Sequence, residues 1–487
     1  MNQKLYITNS LSRNKELFEP VNPPYVGMYV CGPTVSGESH LGHARPYVTF
    51  DVVYRYLLYL GYKVRYVRNI TGAGHFEEEG REAQDKVNEK AKLERLEPME
   101  LVQKYTNLYH DMMDELNNLR PSIEPTATGH IVEQIDMIQE ILHKGYAYEV
   151  NGSVYFDVNK YASGNDYGKL SGRILEDMIA GTRELEGQDE KRNAADFALW
   201  KKAPEEHIMR WNSPWGPGFP GWHIECSAMA SKYLGAPFDI HGGGMDLLFP
   251  HHESEIAQTC IATGTTPVKY WMHNNMITIN GRKMGKSYNN TITLREMFYG
   301  GNQVLERSYP PMTVRFFILQ THYRSTLDFS NDALQAAEKG LQRLLNAYEA
   351  LNKVTPAETG TQQIEKISAN CFAAINDDFN TAIVVAELFE AARIINSAVG
   401  GTEKLTAGDI NSLRILFDDF LFNILGIRKE QQDQSADLDG MMKLILEIRA
   451  NAKSSKDFAT SDKIRETLSS LGITAKDTKD GAEWSRN

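Results

Sequence analysis

The first 71 residues switch between the hydrophobic spacing of a strand and that of a helix. Apolar, β-favouring residues at 28–30 are followed by a break at Gly32, and the apolar positions between 48 and 59 then have helical spacing. Residues 63–71 alternate again as a strand does. A strand, a helix and a second strand in close succession form a βαβ unit, which predicts a parallel sheet.

Later parts of the chain continue this alternation and then become helical. A polar insertion with a hairpin pattern at 146–158 precedes a second group of sheet segments, which begins with a predicted strand at 220–226. From residue 333 onward the apolar spacing is helical almost to a strand-like end at 472–474. These shifts predict six segments: 1–124 and 213–266 for two halves of a sheet domain, 125–212 for the insertion, 267–330 for a region with a basic loop, 331–428 for a helical bundle, and 437–487 for a small terminal domain.

Composition and charge restrict the setting. The 487 residues exceed what one hydrophobic core organises. The net charge of −12 argues mildly against a protein coated in nucleic acid and leaves a local basic face open. The four cysteines are far apart and show no Cys-x-x-Cys pairing, so a disulfide framework is not expected. Without a segment apolar enough to span a membrane, we expect a cytoplasmic protein.

The turn after the first strand carries His40, Gly42 and His43 in the pattern His-x-Gly-His. The helix that follows directs unpaired backbone N–H groups and the positive end of its dipole toward this turn, which suits phosphate binding. The imidazoles can donate to a phosphate whose charge grows during transfer, and Gly42 lets the backbone approach a ligand closely. Taken alone, the pattern fits an ordinary turn with two histidines equally well.

A basic loop at 283–287 is a second candidate for phosphate binding. Lys283 and Lys286 lie three apart beside Gly285 and Ser287, which suits the neutralisation of a triphosphate and its departing pyrophosphate. Lys-x-x-Lys-Ser is common on protein surfaces, and it gains specificity only through the upstream His-x-Gly-His. In this order, with an insertion between them, the two motifs resemble the two halves of the active site of class I aminoacyl-tRNA synthetases.

A second group of residues can bind a metal. His251 and Glu255 are four apart on one face of a predicted helix, although an exposed, charged first turn is the commoner interpretation of such a segment. Cys31 and Cys226 each stand at the end of a predicted strand, where α/β proteins build their sites. Two thiolates, an imidazole and a carboxylate make a plausible Zn²⁺ set, with one ion per chain. Cys260 lies in an apolar helical setting, as does Cys371, and both are expected in the core.

With these motifs in place, the chain resembles the cysteinyl-tRNA synthetase family over nearly all of its length. The matching segments are residues 28–35, 39–45, 66–71, 197–200, 221–227, 238–255, 270–287, 321–329 and 457–465, together with Trp484. The resemblance implies an α/β fold with a Rossmann-type parallel-sheet catalytic domain split by an insertion. An α-helical bundle that binds tRNA and a small C-terminal α+β domain that binds the anticodon are implied to follow, with residues 267–330 contacting the tRNA stem.

The resemblance also implies roles for individual residues. Zinc would be held by Cys31, Cys226, His251 and Glu255. The amino acid would be surrounded by Cys31, Gly32, Thr34, Thr71, Trp222 and Asp246. ATP, with Mg²⁺, would be bound by His40, Gly42, His43, Lys283, Lys286 and Ser287, with His40, His43, Lys283 and Lys286 acting in catalysis. Trp484 and Arg486 are candidates for tRNA contacts, although Trp484 fits a packing role at the terminus equally well.

The implied reaction is the ATP-dependent ligation of L-cysteine to tRNA(Cys). Cysteine would attack ATP to give cysteinyl-adenylate and pyrophosphate, and the 3′-terminal ribose of the tRNA would then accept the cysteine. Zinc would select the thiol over the serine hydroxyl, since packing alone separates near-isosteres by only about 1–3 kcal/mol. A monomer is expected. The chain departs from the family at Gly285, where a serine is usual, and at 72–75, where an acidic run is usual.

Three other functions stay open. A cysteine:amino-sugar ligase of low-molecular-weight thiol synthesis would share the zinc and ATP sites, but such enzymes lack a full anticodon-binding region. An inactive tRNA-binding paralogue would have no need of both motifs and the metal set. A simple adenylyltransferase would account for His-x-Gly-His but leaves the metal set and the chain length unexplained.

Overall fold

The computed structural model describes residues 4–72, 91, 96–174, 190–205, 207–285, 288, 290–428, 434–470, 473–478 and 481–486. The strands are β1 (Tyr6–Asn9), β2 (Asn14–Leu17), β3 (Tyr25–Val30), β4 (Lys63–Arg68), β5 (Ala147–Val150), β6 (Ser153–Phe156), β7 (Phe197–Lys202), β8 (Gly218–Pro220), β9 (Phe238–Gly244), β10 (Val268–Asn274), β11 (Ile277–Ile279), β12 (Arg282–Lys283), β13 (Leu327–Phe329), β14 (Ile473–Thr478) and β15 (Gly481–Arg486). The helices are α1 (Leu41–Tyr59), α2 (Pro98–Glu115), α3 (Ile131–His143), α4 (Val158–Ala162), α5 (Trp222–Leu234), α6 (Glu253–Thr263), α7 (Leu294–Tyr299), α8 (Pro311–Leu319), α9 (Asn331–Ala350), α10 (Gln363–Asn376), α11 (Thr381–Val399), α12 (Ala407–Leu416), α13 (Gln434–Ser454) and α14 (Phe458–Ser470).

A parallel sheet in the order β10-β9-β3-β4 carries the candidate site. Met28 of β3 pairs with Tyr66 of β4 on one side and with Ile240 of β9 on the other. Helix α1 connects β3 to β4 and buries most of its length, including Val48 and Val53, in the main hydrophobic core. The βαβ unit predicted from the hydrophobic spacing is therefore confirmed, and the carboxyl ends of its strands lie at one edge of the sheet.

The insertion builds a sheet of its own. Strands β5-β6-β7-β8 pair in an antiparallel order, and the predicted hairpin at 146–158 is confirmed as β5 and β6. The strand predicted at 220–226 is wrong, because β8 ends at Pro220 and helix α5 begins at Trp222. A Cβ at Gly221 would lie 2.0 Å from the Ala198 carbonyl oxygen, so the chain turns there in close contact with β7.

Two further features lie between the parallel sheet and the helical bundle. Strand β11 pairs antiparallel with β12 and parallel with β13, so residues near the basic loop are joined to the entry of the bundle. The N-terminal hairpin β1–β2 meets the bundle where the Asp378 amide donates to the Tyr6 carbonyl oxygen at 3.0 Å. Its turn meets the sheet where the Ser10 amide donates to the Trp271 carbonyl oxygen at 2.8 Å.

The helical bundle consists of α8 to α12. Its core includes Leu344, Ile375 and Leu388. The single helix predicted at 407–425 is α-helical to Leu416 and continues as a π-helix over Phe417–Ile424. No helix among the described residues is both long and apolar enough to cross a membrane.

The chain divides into two compact units, Met1–Arg428 and Lys429–Asn487. The second unit contains α13, α14 and the hairpin β14–β15, whose apolar cluster includes Met442, Leu446, Leu468 and Ile473. The two helices and the strand β14 were predicted, whereas its partner β15 was not. The finer division of the first unit into five segments stays a prediction.

Candidate active site

Cys31 lies immediately after β3, at the carboxyl edge of the parallel sheet. Its amide donates to the Gly242 carbonyl oxygen of β9 at 3.0 Å, which continues the strand pairing by one residue. A Cβ at Gly242 would lie 2.3 Å from the Phe50 ring of α1, so a glycine is required for this close approach of strand and helix. The sequence placed Cys31 correctly at a strand end.

Cys226, His251 and Glu255 reach Cys31 from helix α5, from a short π-helix and from helix α6. Cys226 lies in the second turn of α5, not at the end of a strand as the sequence analysis expected. His251 lies in the short π-helix Leu248–His252 that leads into α6, and Glu255 lies in the first turn of α6. Ligand atoms of all four residues fall within 4.8 Å of one another, so the predicted set converges even though one of its elements was wrong.

Direct distances define the cluster. The two sulfur atoms of Cys31 and Cys226 are 3.9 Å apart, and Cys31 Sγ lies 3.8 Å from Glu255 Oε1. His251 Nε2 lies 3.0 Å from the same carboxylate oxygen. All four residues are buried, with Cys31 the most exposed at 8%.

More histidines surround these ligands than the sequence analysis proposed. His241 Nε2 lies 2.9 Å from Glu255 Oε2, and His252 Nε2 lies 3.2 Å from Cys31 Sγ, so these two form a second ligand group with Cys31 and Glu255. His223 contacts His251 through the Nδ1 atoms at 3.0 Å. His241 ends a predicted strand just before three glycines, and that position was the signal by which it could have been found.

Electrostatics prepare the cluster for a cation. Burial opposes ionisation of Glu255, but His241 and His251 outweigh it and bring the carboxyl pKa to about 2. Burial likewise raises the pKa of Cys226, yet contacts with Cys31 and His251 dominate and bring it to about 6. Burial and the neighbouring Cys226 hold the Cys31 pKa well above its usual value. A second thiolate so close to the first is stable only beside a strong positive charge.

The donor set fits Zn²⁺. Two sulfurs, an imidazole nitrogen and a carboxylate oxygen match the ligand types and the number that zinc prefers. His241 Nδ1 is buried and has no hydrogen-bond partner among the described residues, and burial with neighbouring histidines holds the pKa of His252 well below its usual value. Neutral imidazoles are the form that binds metals. His252 is therefore in the protonation state that metal binding requires. Burial lowers the pKa of His251, but Cys226 and Glu255 outweigh it and raise that pKa to about 10, so a bound cation would have to displace a proton from His251.

The predicted amino-acid pocket begins beside this cluster. The Gly32 amide donates to Asn69 Oδ1 at 2.8 Å, Asn69 Nδ2 donates to Thr71 Oγ1 at 2.9 Å, and the Thr71 hydroxyl donates to Glu225 Oε2 at 2.9 Å. Thr34 and Thr71 form a parallel bridge, which brings three predicted residues together. Because the Thr71 proton is directed to Glu225, the hydroxyl is left to accept from a ligand such as an ammonium group. Asn69 and Glu225 were not predicted.

Of the two remaining pocket residues, Trp222 lies beside the metal cluster and Asp246 lies after β9. The Trp222 ring packs on the His251 ring with centroids 4.4 Å apart, so it borders the metal cluster directly. Asp246 lies in the short 3₁₀ turn Met245–Leu247 and is exposed. A Cβ at Gly244 would lie 2.2 Å from Asp246 Oδ1, so that carboxylate lies over the end of β9.

The His-x-Gly-His motif begins helix α1 as predicted. The His40 and His43 rings stack with centroids 3.7 Å apart, and the His40 amide donates to His43 Nδ1 at 3.2 Å. A Cβ at Gly42 would lie 2.8 Å from the terminal methyl carbon of Met284, the residue after Lys283. The two motifs, far apart in sequence, are thus in contact.

The basic loop lies at the surface, with Lys283 exposed and Met284 and Gly285 partly buried. Lys283 ends the two-residue strand β12 and is exposed. Asn290 closes the loop, because its side chain accepts from the Gly285 amide at 2.9 Å and donates to the Lys283 carbonyl oxygen at 3.1 Å. Lys286 and Ser287 lie outside the described residues, as do residues 73–75 of the second departure from the family.

The terminal residues predicted for tRNA contact lie in the second unit. Trp484 pairs with Ala475 across β14 and β15 and is half-buried against the apolar cluster of that unit. This position matches the packing role considered for Trp484. Arg486 pairs with Ile473 in the same hairpin.

Comparison with known proteins identifies the family. Residues 17–339 match the model of the tRNA synthetases class I (C) catalytic domain, and residues 372–429 match the DALR domain. The chain is 60% identical to the cysteine–tRNA ligase of Bacteroides thetaiotaomicron over the full length of both. It is 48% identical to the cysteine–tRNA ligase of Chlorobium luteolum, with 99% of each covered. The chain belongs to the cysteine–tRNA ligase family.

Solved structures of other synthetases share the fold of this cysteine–tRNA ligase family member. The Mycobacterium tuberculosis methionyl-tRNA synthetase with methionyl-adenylate superposes with a TM-score of 0.55 at 13% identity, covering 85% of this chain and 96% of the other. LeuRS of Agrobacterium radiobacter K84, in a ternary complex with tRNA and LeuAMS, gives a TM-score of 0.57 at 12% identity, covering 84% and 85%. The predicted class I fold is therefore confirmed.

Proposed function

We propose that this cysteine–tRNA ligase family member activates L-cysteine with ATP and transfers it to the 3′-terminal ribose of tRNA(Cys). The observation that carries the proposal is the convergence of Cys31, Cys226, His251 and Glu255 beside Thr71, at the sheet edge that also carries the His-x-Gly-His motif. A thiol-selective metal cluster next to an ATP motif is what the selection and activation of cysteine require.

The four clustered residues would hold one Zn²⁺ ion per chain. When bound, zinc would bind the substrate's sulfur and favour its thiolate form. The hydroxyl of serine is a poorer zinc ligand than a thiolate. Trp222 would border the amino acid on the metal side, and Gly32 and Thr34 would line the pocket next to Thr71. Thr71 would accept a hydrogen bond from the ammonium group, and Asp246 would supply a negative charge to the same group.

His40, His43, Lys283 and Lys286 would act on ATP. The carboxylate of cysteine would attack the α-phosphorus, which forms the carboxyl–phosphorus bond of cysteinyl-adenylate and releases pyrophosphate. The four side chains, with Mg²⁺, would stabilise the charge on that leaving group. Gly42 would allow close approach of the nucleotide, and Ser287 would donate to a phosphate.

The helical regions would bind the tRNA. The DALR match at 372–429 supports a tRNA-binding bundle, and Trp484 and Arg486 are proposed contacts in the second unit. We further propose a monomer that acts in the cytoplasm, a reducing setting in which two ligand thiols stay available. Full-length similarity to tRNA ligases gives no support to the amino-sugar ligase or the inactive paralogue.

Pyrophosphate exchange into ATP tests the proposal directly. We expect exchange with cysteine and none above background with serine, followed by cysteinylation once tRNA(Cys) is added. Metal analysis of the purified protein should find one zinc per chain. Exchange without charging of tRNA would support the amino-sugar ligase instead, and absence of exchange with any amino acid would contradict the proposal.

A further inference from the structure

Arg45 lies two residues after His43 on helix α1 and is almost completely buried, at 1% exposure. Within the described part of the chain, no ion pair involves this guanidinium, and burial lowers the Arg45 pKa to about 10. An arginine is costly to bury without a carboxylate partner unless its donors are all used. The acceptors of the Arg45 guanidinium therefore indicate the role of this residue.

The guanidinium of Arg45 donates to backbone carbonyl oxygens on two segments. Nη1 donates to the Met276 oxygen at 2.5 Å, immediately before β11. Nη2 donates to Ser325, and lies 3.4 Å from the His322 and Tyr323 oxygens, in the turn before β13. Since β11 and β13 pair with each other, Arg45 binds both at their starting ends.

The same strands lead to the basic loop. Strand β11 pairs antiparallel with β12, which ends at Lys283, and Thr278 lies opposite Lys283 in that pair. Beyond the loop, the Leu41 amide donates to the Ile292 carbonyl oxygen at 3.0 Å, and the Leu294 amide donates to the Ser39 oxygen at 2.8 Å. The loop that carries Lys283 is thus joined to the start of α1 on both sides, and Arg45 makes the joint at the β11 end.

The turn that Arg45 holds is fixed from the other side as well. The Tyr323 hydroxyl donates to Asp378 Oδ1 at 2.7 Å, and Arg324 Nε lies 2.7 Å from Asp378 Oδ2. Asp378 is buried and belongs to the connection between α10 and α11 of the bundle. The acceptors of Arg45 therefore have fixed positions, and a planar guanidinium with five donors can meet two segments at once where a lysine ammonium cannot.

We propose that Arg45 is a positioning residue for ATP, which sets the distance between the His-x-Gly-His helix and the strand that carries Lys283. It acts through the backbone just before β11 and β13, of which β11 pairs with the strand that carries Lys283, and not by contact with the reacting atoms. The inference rests on the proposed function, because it assumes that the two motifs together bind the triphosphate. Arg45 would therefore affect the binding of ATP and leave the binding of cysteine unchanged.

Arg45→Lys and Arg45→Met test the proposal in the full-length protein. We expect both to raise the KM for ATP, or lower kcat in pyrophosphate exchange, by about ten- to a hundredfold, because displacement of a catalytic group by about an ångström costs up to this much. The KM for cysteine and the zinc content should stay within about twofold of the wild type. The lysine variant should rescue little, since it keeps the charge and loses the fork.

Arg55→Met is the matched control. Arg55 lies on the same helix, donates to Asp51 at 2.7 Å and to the Asn117 carbonyl oxygen at 2.6 Å, and contacts neither motif within the described residues. It should lower thermal stability without changing the KM for ATP. An unchanged ATP dependence in Arg45→Lys, or an equal loss of cysteine and ATP binding in both Arg45 variants, would overturn the proposal.

Direct titration with ATP separates this inference from the proposed function. If the wild type shows no cysteine-dependent exchange, the proposed function fails, but ATP binding by calorimetry still reports on Arg45. Weaker binding in Arg45→Lys than in Arg55→Met then supports the positioning role, and equal binding removes it. If Arg45→Met does not fold, the lysine variant carries the test alone.

Discussion

The metal cluster and the basic loop are built in opposite ways. Cys226, His251 and Glu255 are at most 2% exposed and are held by helices and strands packed on every side. Lys283 is exposed at the end of a two-residue strand, and its position depends on contacts made by neighbours such as Met284 and Asn290. We infer that the proposed selection of the thiol relies on a preformed interior, whereas the proposed phosphate chemistry relies on a lysine at the protein surface.

Removal of a metal ligand should have the largest effect. Cys226→Ala is expected to lose zinc and to lower cysteine-dependent exchange about a thousandfold or more, because a required ligand bond is absent. Cys260→Ala, on helix α6 but outside both ligand groups, is the control and should keep its zinc. Normal zinc content in Cys226→Ala would show that the second group, with His241 and His252, holds the ion instead.

Removal of the loop lysine should affect the other half of the reaction alone. Lys283→Ala is expected to lower kcat for exchange by about 10²–10³-fold, the usual result of losing a group that stabilises developing charge. Zinc content and discrimination against serine should stay unchanged, because no contact joins Lys283 to the cluster among the described residues. A parallel loss of discrimination would contradict the separation of the two regions.

Low pH should affect the interior cluster before the loop. Zinc binding needs a Cys226 thiolate, whose pKa of about 6 is reached as pH falls, so protons compete with the ion below that value. Binding must also displace protons from Cys31, whose pKa lies well above its usual value, and from His251, whose pKa is about 10. Zinc affinity should therefore fall as the pH drops from 8 to 7, by about tenfold per pH unit for each proton displaced, and more steeply below pH 6, where Cys226 is protonated as well. Equilibrium titration with a zinc indicator at each pH measures this affinity. Lys283→Ala is the control and should show the same pH dependence as the wild type. Identical affinity at pH 5 and 7 would contradict it.

The smallest effect is expected where the two motifs touch. Gly42→Ala places a methyl group 2.8 Å from the Met284 terminal carbon and 3.0 Å from the His40 ring, and a flexible methionine can move aside. The KM for ATP should rise about tenfold or less. Adding Met284→Ala should restore part of the loss, because one of the two close contacts is removed. If the KM for ATP stays as high in the double variant as in Gly42→Ala, the contact with the His40 ring alone would be responsible.

The hydrophobic pattern predicted the parallel sheet and the bundle because those elements are long and regular. It failed at 220–226, where a short apolar segment fits a strand and a buried helix equally well. Residue type and family resemblance selected four residues that the fold does bring together, yet Cys226 reaches the cluster from a helix. Arg45 could not be found this way, because its acceptors are backbone carbonyl groups and leave no mark in the sequence.

The long separation of the ligands has a consequence for biosynthesis. Cys31 and Glu255 are 224 positions apart, and His273, which contacts His252 at 2.7 Å, comes later still. A ribosome must therefore release more than half of the protein before the cluster can close. Capture of the proposed zinc ion would therefore follow completion of the parallel sheet, and a chain stalled earlier would expose its thiols without the metal.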